Sequence, residues 1–218
     1  GSTFDREGSR GLALARGLLS GPIDIDKLDY LQRDSLHAGV PYGRNFDQRR
    51  LLGSLCVGPT GRDIAITAKG KTAAEMMVFS RYVMFSEVYW HHAVRAATAM
   101  LQRLVYSLAD RRRPTDWADW SDMQMNEHLS RASQQHVQLH SLAAGLFGRE
   151  RRLYKRLLEF NFTENPQAHR ALARRSYPDL VLCAERLAER LSRRSARPLA
   201  PTDLLIDAPP VKLEVQFQ

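Results

Sequence analysis

Ser20-Gly21-Pro22-Ile23-Asp24-Ile25-Asp26-Lys27-Leu28-Asp29-Tyr30-Leu31-Gln32-Arg33-Asp34-Ser35-Leu36-His37 holds a helix stop, a helix start and a polar stripe in one short run. Gly21-Pro22 ends an apolar helical stretch over residues 12–19. Asp24 stands where a helix N-cap stands, and a helical pattern follows over residues 25–37 until Gly39 and Pro41 close it. At about 100° per residue, Asp26, Tyr30, Arg33 and His37 fall near 0°, 40°, −20° and 20°. One narrow face thus carries a carboxylate, a phenol, a guanidinium and an imidazole, while Leu28 and Leu31 lie elsewhere. Such a stripe at a helix N-terminus suits a site for a metal and an anionic ligand. A solvated face with an acidic cap fits the same spacing equally well.

Outward from this stretch, short β-like runs at residues 51–57 and 64–67 flank Gly58-Pro59-Thr60-Gly61 and predict a hairpin. Thr72, with Glu75 three residues on, reads as a capping box. The helical pattern it opens runs to residue 110, about 58 Å at roughly 1.5 Å per residue. With the α-helical repeat carried along that helix, Arg81, Phe85, Tyr89 and His92 share one side of it. They could line a pocket wall, but snorkelling side chains on a half-buried face account for them as well. A turn is expected at 111–116. Helices are expected at 121–143, 150–159, 166–175 and 178–195, and strand-like runs in the tail at 203–218. The expected fold is mostly α: one domain over residues 1–218, with a small β-hairpin and a short strand-like C-terminal tail. Its site-bearing helices and hairpin occupy residues 12–110, and a basic helical region follows over 111–218.

Charge is uneven. The chain carries 32 Lys and Arg against 24 Asp and Glu, a formal +8. Between Arg149 and Arg197 there are 13 Lys and Arg against 6 Asp and Glu, so that segment holds most of the surplus. A basic segment attracts nucleotides, nucleic acid or acidic partners, and a solvated arginine-rich surface is the plainer account. Two distant cysteines, Cys56 and Cys183, make no disulfide framework and read as core residues of a reduced, cytoplasmic protein. No apolar run reaches the roughly 18 residues of a membrane span. Phosphate-loop, dinucleotide-binding and nucleophile-elbow motifs are absent. His136 and His140, with His128 earlier, have helical spacing but no accompanying Glu, and fit a solvated face.

The segment Pro22-Ile-Asp-Ile-Asp-Lys-Leu-Asp-Tyr-Leu-Gln-Arg-Asp-Ser, with His37 and Gly39, closely resembles the segment after the His-Asp motif in HD-domain deoxynucleotide triphosphohydrolases. The resemblance continues through Asp47-Gln-Arg-Arg-Leu-Leu, the hairpin, Arg81 to His92, Arg152-Leu-Tyr-Lys-Arg and Leu204-Leu-Ile-Asp. It implies an HD-type helical fold and metal-dependent hydrolysis of a deoxynucleoside triphosphate. It also implies Asp26 as a ligand of a divalent metal (Mn, Mg, Fe or Zn) and Lys27 at the triphosphate. Tyr30 and Asp34 would lie along the sugar, with Arg81 and Tyr89 on phosphates and sugar. His92 stands where the family often has Lys, and Phe85 where some members have His. A homo-oligomer is the expected assembly, with no membrane partner.

The family holds metal through His…His-Asp…Asp. This sequence contains no His-Asp dipeptide, and all seven histidines (37, 91, 92, 128, 136, 140 and 169) follow Asp26. The missing ligands are expected before residue 12, and this chain alone is expected to be inactive. Two alternatives stay open. One is an HD hydrolase of another phosphate ester or a signalling nucleotide. The other is a non-catalytic module that binds nucleic acid or protein through the basic region.

Overall fold

The structure is a computed structural model that describes residues 3–108, 117–196 and 198–208. The described residues are mostly helical, with one small two-stranded antiparallel sheet. Two compact units divide the chain, Gly1–Trp90 and His91–Gln218.

In the first unit, α1 covers Thr3–Ser20, longer than its apolar run alone suggests. Helix α2, Ile25–Ala38, starts and stops as its sequence demands. The Asp24 side chain accepts the Lys27 backbone N–H at 2.7 Å, and Gly39 closes the helix at φ 68°, where a side chain would be strained. A turn at Tyr42–Arg44 packs flat against α2, so closely that a Cβ on Gly43 would lie 1.9 Å from the Leu31 carbonyl oxygen. Residues 48–52, read partly as strand, instead form a short helix α3, Gln48–Leu52, because the Asp47 side chain caps it at the Arg50 N–H. The hairpin follows: β1 Leu55–Val57 pairs with β2 Ile64–Ile66, with Cys56 opposite Ala65. Cys56 faces outward and is exposed, as is Cys183; both were expected in the core. Helix α4 spans Lys71–Met84. Its N-cap is Gly70 with no side-chain cap bond, so the expected Thr72 capping box is not formed. Leu31, Leu51, Met77 and Met84 are fully buried together as the core of this unit.

The expected single helix over residues 72–110 is broken. One π-helical turn, Phe85–Tyr89, follows α4, and Trp90 ends it with its N–H on the Phe85 carbonyl at 2.8 Å. Helix α5, His92–Leu108, then begins in the second unit. The α-helical repeat that aligned Arg81 with Tyr89 and His92 therefore does not hold across the break.

In the second unit, the expected helix at 121–143 is two: α6 Asp122–Ser133, entered through a Ser121/Gln124 capping box, and α7 Val137–Phe147. Met100, Leu104, Leu129 and Leu142 are its buried centre. The expected helix at 150–159 is absent. Residues 151–161 have no regular structure. Leu153 and Tyr154 pack on the core, whereas Leu157 and Leu158 are 79% and 76% exposed. The apolar spacing that suggested a helix face serves two contacts only. Helices α8 Pro166–Leu172 and α9 Tyr177–Ser192 match their sequence signals. Residues 203–208 form no strand; the predicted turn at 111–116 and the tail beyond 208 lie outside the described residues. The α9 residue Glu185 pairs with buried Arg103 of α5, Arg95 clasps Asp207 through two bonds of 2.7 and 2.5 Å, and Tyr154 donates to the Thr202 carbonyl at 2.9 Å.

Candidate functional site

Helix α2 and the π-helical turn meet through side chains that the sequence assigned to one site. The Tyr89 hydroxyl donates to Asp34 Oδ2 at 2.8 Å across a separation of 55 residues. The Tyr30 and Tyr89 rings meet edge to face with centroids 6.3 Å apart. Phe85 packs edge-on to Tyr89 at 5.8 Å and against Trp90 at 5.9 Å, which adds two aromatic rings to this wall. Phe85 and Tyr89, four residues apart, share one face of this turn, as they would on a regular α-helix. Burial, then the bond to Asp34, raises the Tyr89 hydroxyl well above the ordinary range for a phenol. At neutral pH Tyr89 is therefore a hydrogen-bond donor, not a phenolate.

The carboxylates of α2 divide into distinct environments. Asp24 is 5% exposed. One oxygen caps the helix; the other pairs with the Lys27 ammonium, which also donates to the Gly21 carbonyl at 3.0 Å. Asp26, two residues on from the cap, is exposed on the first turn. Arg33 bridges Asp29 at 3.0 Å and Asp34 at 3.5 Å, and the Asp29 bond raises its affinity for its proton further. The polar stripe foreseen on α2 is thus real as a surface: Asp26, Arg33 and His37 are exposed, and Tyr30 alone turns partly inward.

The structure brings Tyr30, Asp34 and Tyr89 together. Lys27 is half-buried and its charge is met by Asp24, so an anionic ligand competes with that carboxylate for it. Arg81 is half-buried at the last turn of α4. His92 starts α5 in the second unit, with its ring 4.2 Å from that of His91. Sequence reasoning missed the Asp24–Lys27 pair, although Asp and Lys three residues apart at a helix start are within reach. Phe85 was read beside Tyr89, but the share of Trp90 in the aromatic wall was missed, because the π-turn that ends at Trp90 has no periodic signature.

Among the described residues, no group of three or more His, Cys, Asp or Glu side chains is placed to hold a metal ion. Asp26 offers one exposed carboxylate, and one oxygen donor falls short of a transition-metal ligand set. The donors among the described residues do not by themselves fit the metal that the resemblance implies. Among the described residues, no helix is long and apolar enough to cross a membrane.

Comparison with known proteins agrees with the HD association. The chain is 39% identical to the Bacillus subtilis protein YwfO over 89 residues, 41% of this chain and 20% of that protein. It is 41% identical to Methanocaldococcus jannaschii MJ1154 over 90 residues, 40% of this chain and 20% of that protein. An HD domain-containing protein of Acanthamoeba polyphaga mimivirus, L394, is 33% identical over 88 residues, 40% of this chain and 18% of that protein. The chain thus spans about a fifth of the length of each of these relatives. Residues 46–216, most of the chain, match the family described as the HD associated region, and the chain belongs to that family.

Proposed function

We propose that this chain is part of a phosphohydrolase that cleaves deoxynucleoside triphosphates to nucleoside and triphosphate. The observation that supports the reading is the Tyr89–Asp34 hydrogen bond, with Tyr30 against Tyr89. Two stretches that the resemblance assigns to one substrate site meet there. In this proposal Tyr30, Tyr89 and Asp34 bind and orient the sugar. Lys27 and Arg81 neutralise phosphate charge, and the planar fork of Arg81 suits phosphate oxygens. Asp26 contributes one carboxylate to a divalent-metal site that other parts of the protein complete. Lys27 must exchange Asp24 for phosphate, so Asp24 holds the ammonium near its working position before substrate arrives.

The experiment is a turnover assay of the full-length protein on deoxynucleotides, ribonucleotides and simple phosphate esters. Release of triphosphate from deoxynucleotides, abolished by Asp26→Ala without loss of helical circular dichroism, is the expected result. Near wild-type turnover by Asp26→Ala removes that residue from the reaction. Hydrolysis of other esters alone favours a different HD hydrolase. No hydrolysis, together with salt-sensitive RNA binding, favours an interaction module that uses the basic residues 149–197.

A further inference from the structure

The second unit carries an open surface cavity of about 580 Å³ whose lining includes Arg103, Ser107, His136, Gln138, Glu185 and Thr202. Arg103 is its unusual member. It stands among the apolar residues of α5 between Met100 and Leu104, and its side chain is 6% exposed. Glu185 of α9 takes a bond from Nη2, but Nε is buried with no acceptor among the described residues. A guanidinium has five donors and a planar edge that suits two acceptor oxygens at once. Glu185 fills that edge incompletely. Its own side chain is 38% exposed, so it reaches the guanidinium from the rim and can turn back to water.

The amino end of α7 opens on the same cavity, through residues 135–139. Its N-cap, His136, provides no side-chain acceptor for the first-turn N–H groups, although its carbonyl accepts from Leu139 and His140 at 2.9 Å. Outward N–H groups and the helix dipole attract anions. The Thr202 hydroxyl donates to the Gln138 carbonyl at 3.2 Å and fixes the floor beside them. Arg103, Glu185 and His136 are the charged or titratable groups that line the cavity. With Glu185 on Arg103 the two formal charges cancel; with Glu185 turned away the cavity is cationic.

We propose that this cavity binds the phosphate group of a small molecule between the Arg103 guanidinium and the amino end of α7, with Glu185 displaced on binding. A tetrahedral oxyanion can accept from several donors at once, and the volume leaves room for an organic substituent. The site lies wholly in the second unit and does not depend on the proposed hydrolysis.

The test is calorimetric titration of the chain with inorganic phosphate, with acetate and chloride at matched ionic strength as references. Saturable phosphate binding that Arg103→Gln weakens at least tenfold, and that Glu185→Gln strengthens several-fold, is expected. Amide resonances of Ser107, Val137 and Gln138 should shift on titration. If Arg103→Gln fails to fold, Glu185→Gln decides: phosphate should raise its melting temperature more than that of the parent, because the added anion replaces a lost countercharge. Phosphate acting no differently from chloride, acetate binding equally well, resonance shifts elsewhere, or no gain in Glu185→Gln overturns the proposal.

Discussion

Asp24 and Asp26 are two residues apart and should behave oppositely. Asp24 is buried, caps α2 and pairs with Lys27. Asp24→Ala removes a cap worth about 1 kcal/mol and also strands a half-buried ammonium, so a loss of about 1–3 kcal/mol in chemical denaturation is expected. Asp26 is exposed, and Asp26→Ala should move stability by no more than about 0.5 kcal/mol. Equal losses in the two would contradict this division. Tyr89 gives a second residue-scale test. Burial and Asp34 raise its folded pKa above the ordinary 10.0, and burial pushes Tyr177 up to about 12 despite the opposing charge of Arg103. Their contributions to stability are complete below the unfolded value near 10 and are lost as pH rises through the folded values. Urea midpoints should therefore fall from pH 10 upward, and less steeply in Tyr89→Phe. An unchanged slope in that variant would show that Tyr89 is not the group responsible. The cap at Asp24 was readable in the sequence; its burial, its pair with Lys27 and the environment of Tyr89 were not. The helix-wheel angles put Asp26 and Tyr30 on one face, but burial comes from what packs opposite, which one chain's periodicity does not encode.

Two elements that the sequence marked chemically formed as expected, although the Thr72 capping box did not. Helix α2 has an aspartate to open it and a glycine to close it, and the hairpin has its Gly-Pro-Thr-Gly turn. Elements inferred from apolar spacing alone fared worse. The stretch 150–159 has leucines at helical intervals but no cap, and it stays irregular. The break after α4 was hidden because Phe85 to Tyr89 carries no proline or glycine. Of the site, the α2 face and the Phe85–Tyr89 pair were legible, while Trp90 and the Tyr89–Asp34 bond were not. Close packing at the Tyr42–Arg44 turn was likewise silent until Leu31 appeared opposite it. There Gly43→Ala would drive a methyl group to within 1.9 Å of a backbone carbonyl oxygen, which no side-chain rotation relieves. The turn must lift from α2, and a loss of at least about 2 kcal/mol is expected in thermal or chemical unfolding. Gly39→Ala meets open space and pays only for its left-handed backbone, about 1–2 kcal/mol. Gly43→Ala being the milder of the two would refute the close contact.

Across the whole molecule, each unit has its own buried cluster, and most of the positive surplus lies in the second. Family membership, the helical fold and the hairpin agree at this scale; the proposed reaction rests on a few side chains in the first unit. The irregular stretch 151–161 has a practical outcome. It presents Arg151, Lys155 and neighbouring arginines on exposed backbone with no helix to unwind, and proteases read their substrates as extended chain. Brief trypsin treatment should nick the protein there first, giving two bands on a denaturing gel. On either side of the nick, Arg103 and Glu185, and Arg95 and Asp207, still hold one another. The nicked protein should therefore elute from a sizing column as a single species at the volume of the uncut chain, a split molecule that has not come apart.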